Sequence, residues 1–149
     1  MIQRIQTLFL LLGIGLAIAF LFVPFGYAPT VDLETGASVF QPFKGVCFTG
    51  LLVPTVVSVV LMLVAIFMFK NYAVQKLLTI LSAISLLATI GVVIYAVVSP
   101  YVDTNPDVTV ATVWGGGGLF LVAALIAVFA AYHYICRDQR LIRSYDRIR

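Results

Sequence analysis

Four stretches of this chain contain no Asp, Glu, Lys or Arg, and each is long enough to cross a bilayer: residues 7–25, 48–69, 77–98 and 113–136. A helix needs about 20 residues to traverse roughly 30 Å of hydrocarbon. No water is available there, so every backbone N–H and C=O must be bonded within its own segment. Runs rich in Leu, Ile, Val, Ala and Phe achieve this as helices. The expected fold class is therefore an all-α membrane protein, a four-transmembrane-helix bundle. Pro54 falls one turn into the second run, where a helix tolerates it or kinks slightly. The spans consume most of the 149 residues, so residues 1–149 read as one transmembrane domain with no room for a separate soluble one. With only 10% charged residues the chain lies far from the roughly one-quarter of soluble domains.

Basic residues stay on the cytoplasmic side during insertion, and their distribution sets the orientation. Arg4 precedes the first span, Lys70 and Lys76 separate the second from the third, and Arg137, Arg140, Arg143, Arg147 and Arg149 follow the fourth. The opposite side carries Lys44 with Asp32, Glu34, Asp103 and Asp107. Both termini are thus expected in the cytoplasm, with outer loops at 26–47 and 99–112. Arg4, the first apolar run, Gly26 and Ala28 also sketch a cleavable signal peptide, but the run exceeds the usual apolar core of about 7–15 residues. A retained span is the expectation. The net charge of +3 does not suggest a nucleic-acid binder, because the charges cluster at membrane ends rather than on a folded basic surface.

In the first outer loop, Tyr27, Val31, Leu33, Val39 and Phe40 surround the turn-like Glu34-Thr35-Gly36, a pattern that fits a short β-hairpin or an extended cap. In the other, Asp103, Asn105 and Asp107 supply too few oxygens for calcium, which takes six to eight. Cys47 and Cys136 fall at opposite ends of the spans and cannot pair within one chain.

Helices in lipid associate through small residues and occasional hydroxyl contacts. Gly13 with Ala17, Gly15 with Ala19, and Ala123, Ala127 and Ala131 provide such stripes. Gln75, Thr79, Ser82 and Thr89 fall on one helical face. That stripe reads first as a helix interface with hydroxyl-to-backbone bonds, and second as the polar lining of a small-molecule path. The spans hold no Asp, Glu, Lys or Arg, which argues against a proton pump or ion-coupled transporter. The four glycines at 115–118 are followed by Leu119 and Phe120 rather than the Lys-Ser/Thr of a phosphate loop. They read as a close-approach or flexible segment beside the interfacial anchor Trp114. His133 and Cys136 are two candidate ligands where a zinc site closes at four. No metal and no cofactor is expected.

After Cys136 the sequence runs RDQRLIRSYDRIR, without glycine or proline, so the fourth helix is expected to continue as a basic amphipathic tail over 137–149. Arg140, Arg143 and Arg147 share one face, and Leu141, Tyr145 and Ile148 another. Such a helix suits anionic lipid headgroups or a soluble partner.

Three segments, MIQRIQTLFLLL at the start, FKNYAVQKLL at 69–78 and ICRDQRLIRSYDRIR at 135–149, resemble those of domain-of-unknown-function family 4293, uncharacterised four-pass inner-membrane proteins of Bacteroidota. The resemblance covers the chain in layout and is specific in these segments, at Gln3, Arg4, Gln6, Lys70, Asn71, Asp138, Leu141, Arg143, Ser144, Asp146 and Arg147. Gln139 departs from it, standing where an acidic residue is expected. The resemblance implies a bacterial inner-membrane location and brings no catalytic residue. All three segments lie on the expected cytoplasmic side. The candidate site is therefore an interaction cluster of Gln3, Arg4, Gln6, Lys70, Asn71, Asp138, Arg140, Arg143, Asp146 and Arg147, with Arg4 pairing to Asp138 or Asp146. No nucleophile and base stand together, so no catalytic residue is named and an enzyme is not expected. The expected function is a non-enzymatic membrane subunit or adaptor with a basic docking face. The alternative is a small-molecule or lipid carrier, or enzyme, using the Ser/Thr-lined interior.

Overall fold

The computed structural model describes residues 3–31, 38–68, 71–98 and 113–146. Helix α1 (Gln3–Phe22) is followed by strands β1 (Pro24–Val31) and β2 (Ser38–Lys44), a short 3-10 turn (Gly45–Cys47), α2 (Thr49–Phe67), α3 (Tyr72–Val98), β3 (Val113–Trp114) and α4 (Gly118–Asp146). Each helix is long and apolar enough to cross a membrane. The helices form a ring in which α1 lies against α2 and α4, and α3 against the same two. Only about a third of each span is buried inside the protein, from 28% in α2 to 33% in the others. The rest is a coat of side chains such as Leu8, Val53, Ile84 and Ile126 facing outward, a surface that lipid solvates and water does not.

The bundle has two unlike ends. One carries the strands, the other the start of α1 and the end of α4. At the sheet end, the expected hairpin is present: β1 and β2 pair antiparallel from Gly26↔Phe43 to Val31↔Ser38, with a register irregularity between Pro24 and Gly26. Its turn, including Glu34-Thr35-Gly36, lies outside the described residues, as does the outer loop 99–112. A third strand was not anticipated. Residues 113–114, expected to open the fourth span, instead pair with Tyr27 and Gly26 of β1, giving the sheet order β2-β1-β3. The first span is likewise displaced from the expected 7–25, beginning and ending a few residues earlier. Helix α1 stops at Phe22 because Pro24 lacks an amide hydrogen and favours an extended chain. Pro42 sits on the edge strand β2, where a missing donor leaves no ladder bond unmade.

The glycine run is explained by this sheet. Gly115 N–H donates to the Phe25 carbonyl at 2.9 Å and Gly117 N–H to the Pro24 carbonyl at 3.0 Å. A Cβ on Gly115 would lie 2.5 Å from Pro24 O, and one on Gly117 2.7 Å from the same atom. Gly116 and Gly118 have nothing within 4 Å. Alternate glycines thus let two backbones touch. Beneath the sheet, Phe25 packs with Phe20, Phe43 and Phe48, ring centroids 6.1–6.4 Å away, and plugs the bundle.

The stripes of small residues sort by face. Gly13 and Ala17 are buried, Gly15 is exposed and Ala19 half-buried. A Cβ on Gly13 would come within 3.2 Å of Met62 Sδ and 3.5 Å of Val128, so α1 meets α2 and α4 here with no space to spare. On α4, Ala127 and Ala131 point inward as expected, whereas Ala123 is half-buried and Ala124 takes the core position.

Candidate functional site at the polar end of the bundle

Where α1 begins and α4 ends, the core changes from apolar to polar. Gln6 of α1 and Asp138 of α4 are both buried, 2% and 5% exposed, and Gln6 Nε2–H donates to Asp138 Oδ2. Beside them Lys76 of α3 donates from Nζ to Gln139 Oε1 on α4. One turn of α4 is therefore tied to α1 on one side and to α3 on the other. Gln75, 3% exposed, lies next to Lys76 at this level. Gln75 Oε1 and Asp138 Oδ1 are buried acceptors that receive no hydrogen bond from the described residues. A ring stack between Phe9 of α1 and Tyr134 of α4, centroids 5.3 Å apart, closes the core one turn deeper.

Of the residues expected to gather here, Gln6 and Asp138 do so. Asn71 is exposed in the turn between α2 and α3, where its carbonyl accepts the Gln75 amide at 3.0 Å. Arg140 points outward from the bundle. The side chains of Gln3, Arg4, Lys70, Arg143, Asp146 and Arg147 lie outside the described residues, and so do the expected pairings of Arg4. Within the described residues the partner that α1 gives Asp138 is the amide of Gln6. Two members were not anticipated. Lys76 counted only toward orientation, and Gln139 seemed a departure of little consequence. Their signal was positional: each adjoins a buried polar residue, Gln75 and Asp138, on facing helices.

The Ser/Thr stripe of α3 leads inward from this end. Thr79, Ser82 and Thr89 are buried, and each hydroxyl donates to a carbonyl of its own helix at 2.8–3.0 Å. Thr55 and Ser58 of α2 do the same at 2.6 and 2.7 Å. Ser85 of α3 reaches across instead, donating to the Pro54 carbonyl of α2 at 2.7 Å. These hydroxyls thereby satisfy themselves within the bundle wall. A groove of about 250 Å³ lies between α3 and α4, lined by Thr79, Ala83, Val128 and Tyr132 together with outward-facing Ile84 and Phe129. Ser82 and Thr89 do not line it.

A second groove, of about 450 Å³, lies on α4 itself, lined by His133, Cys136, Arg137, Arg140 and Leu141. Among the described residues no three His, Cys, Asp or Glu side chains converge. Cys47, exposed at the sheet end, and Cys136 near the polar end are both free thiols.

Four long apolar helices and a polar seal at one end define a multi-pass membrane protein. The chain belongs to the family described as Domain of unknown function (DUF4293), which it matches over residues 2–148. No curated protein matches it.

Proposed function

We propose that this protein is a non-enzymatic subunit or adaptor of the bacterial inner membrane, with both termini in the cytoplasm and a basic helical tail that docks a soluble protein. The observation that carries the reading is the continuity of α4. Its 29 residues exceed the span requirement by about nine, so the last turns project roughly 14 Å beyond the hydrocarbon as one rigid piece. The Gln6–Asp138 and Lys76–Gln139 bonds anchor this projection at its base, against α1 and α3. A rigid, anchored helix loses less conformational freedom on docking than a free tail does. The carrier or enzyme alternative draws less support, because the hydroxyls it would use are already bonded to their own backbone.

Affinity purification in mild detergent tests the proposal by comparing the wild type with an Arg143→Glu/Arg147→Glu variant. The expected result is a soluble protein recovered in fixed ratio with the wild type and lost from the variant. Failure to recover any partner, or equal recovery with both, counts against the adaptor reading. Orientation has a native probe in Cys47. A membrane-impermeant maleimide should label it in intact spheroplasts, and labelling only after permeabilisation would reverse the topology.

A further inference from the structure

The outer face of α4 changes character along its length. Leu119, Val122, Ile126 and Phe129, 46–66% exposed, form an apolar row, and His133, Arg137 and Arg140 continue it on the same side at steps of three and four. Counting about 20 residues of span from Gly118 brings the helix to the hydrocarbon boundary near Arg137. The two guanidiniums therefore stand at the depth of headgroup phosphates, with His133 about one turn deeper. Asp138, between them in sequence, is turned into the bundle and held by Gln6; it remains within electrostatic reach of Arg137 but is not on the outward face that the two guanidiniums share. No other acidic side chain is among those described. The groove of about 450 Å³ lies at this junction, lined by His133, Arg137 and Arg140 with Cys136 and Leu141.

We propose that this groove is a binding site for one anionic phospholipid, with the phosphodiester between Arg137 and Arg140 and the acyl chains along Phe129, Ile126 and Val122. His133 donates to an ester or headgroup oxygen. Guanidinium matches phosphate in both charge and fork geometry. Selectivity for anionic lipid follows from the same charges. A zwitterionic headgroup brings its own ammonium against two outward-facing guanidiniums, and an anionic one does not. The inference requires only that α4 spans the membrane, not that its tail docks a protein.

Native mass spectrometry of the full chain, released from mixed micelles of phosphatidylglycerol and phosphatidylcholine in equal amounts, tests the site. One phosphatidylglycerol per chain should be retained, in about tenfold excess over phosphatidylcholine. Arg137→Gln/Arg140→Gln should abolish that preference, whereas Lys44→Gln, which removes a basic residue at the sheet end, should keep it. An unchanged thermal transition in the double variant establishes that the fold is intact. Should that transition fall, the single variants Arg137→Lys and Arg140→Lys take its place. Each keeps the charge but loses the fork, and the preference should drop by a smaller factor. Equal retention of the two lipids by the wild type, or retention of the preference in the glutamine variant, overturns the proposal. Displacement of the lipid by millimolar glycerophosphate at equal headgroup concentration also overturns it, in favour of a soluble phosphate ligand.

Discussion

The two ends of this bundle are closed by different means. At the sheet end the seal is backbone on backbone: Gly115 and Gly117 press against Pro24 and Phe25, with phenylalanine rings filling the space below. At the polar end it is side chain on side chain, Gln6 to Asp138 and Lys76 to Gln139. A backbone seal leaves no room for a methyl group and needs no particular chemistry. A side-chain seal is specific in chemistry and leaves the neighbouring surface free to carry charge. The sheet end thus fixes how closely the backbones approach, while the polar end leaves the outward face of α4 with Arg137 and Arg140 exposed.

The sharpest way to break the comparison is at Gly115. Gly115→Val places side-chain atoms where Pro24 O already stands, and the expected outcome is loss of monodisperse protein in detergent, a penalty of about 4 kcal/mol or more. Gly116→Ala, at the next residue but in open space, should behave as wild type. At the other end, Gln6→Leu removes the donor from a buried carboxylate oxygen, and a loss of roughly 3 kcal/mol is expected in thermal or denaturant unfolding. If Gln6→Leu proves harmless while Gly115→Val does not, the polar end contributes little to closure. Ser85→Ala deletes the one cross-helix hydroxyl bond described above and should cost only about 0.6 kcal/mol. Smallest of all, Gly15→Ala on the lipid-facing side of α1 has nothing within 4 Å of its new methyl. It should be neutral or stabilising by about 0.5 kcal/mol through helix propensity.

Much of the polar end was legible one helix at a time. The Gln75–Thr79–Ser82–Thr89 face stands out because a polar residue in an apolar run needs a reason, and Gln6 and Asp138 stand out because they fall in the segments that resemble the family. The partners were not legible, since which helix faces which is set by packing between segments 132 residues apart for Gln6–Asp138 and 63 apart for Lys76–Gln139. Gln139 shows this well: in the linear chain it is a neutral residue in a charged run, and only the approach of α3 makes it the acceptor for Lys76. The run of four glycines shows the converse. Its conspicuousness was plain, but the reason required knowing that residues 113–117 return to β1.

The sequence by itself determined that this chain lives in a bilayer as four helices. Backbone groups in hydrocarbon have no partner but their own segment, and apolar length alone therefore dictates both number and type of element. It also indicated a hairpin after the first span, through local alternation and turn residues. Only the tertiary structure decided that residues 113–114 form a third strand rather than the start of a helix, that two of four glycines are sterically obligatory, and that Asp138 points inward while Arg137 and Arg140 stay outside. Those outcomes depend on contacts between distant segments. A periodic apolar pattern specifies which residues avoid water, but in lipid it does not say which neighbour they choose.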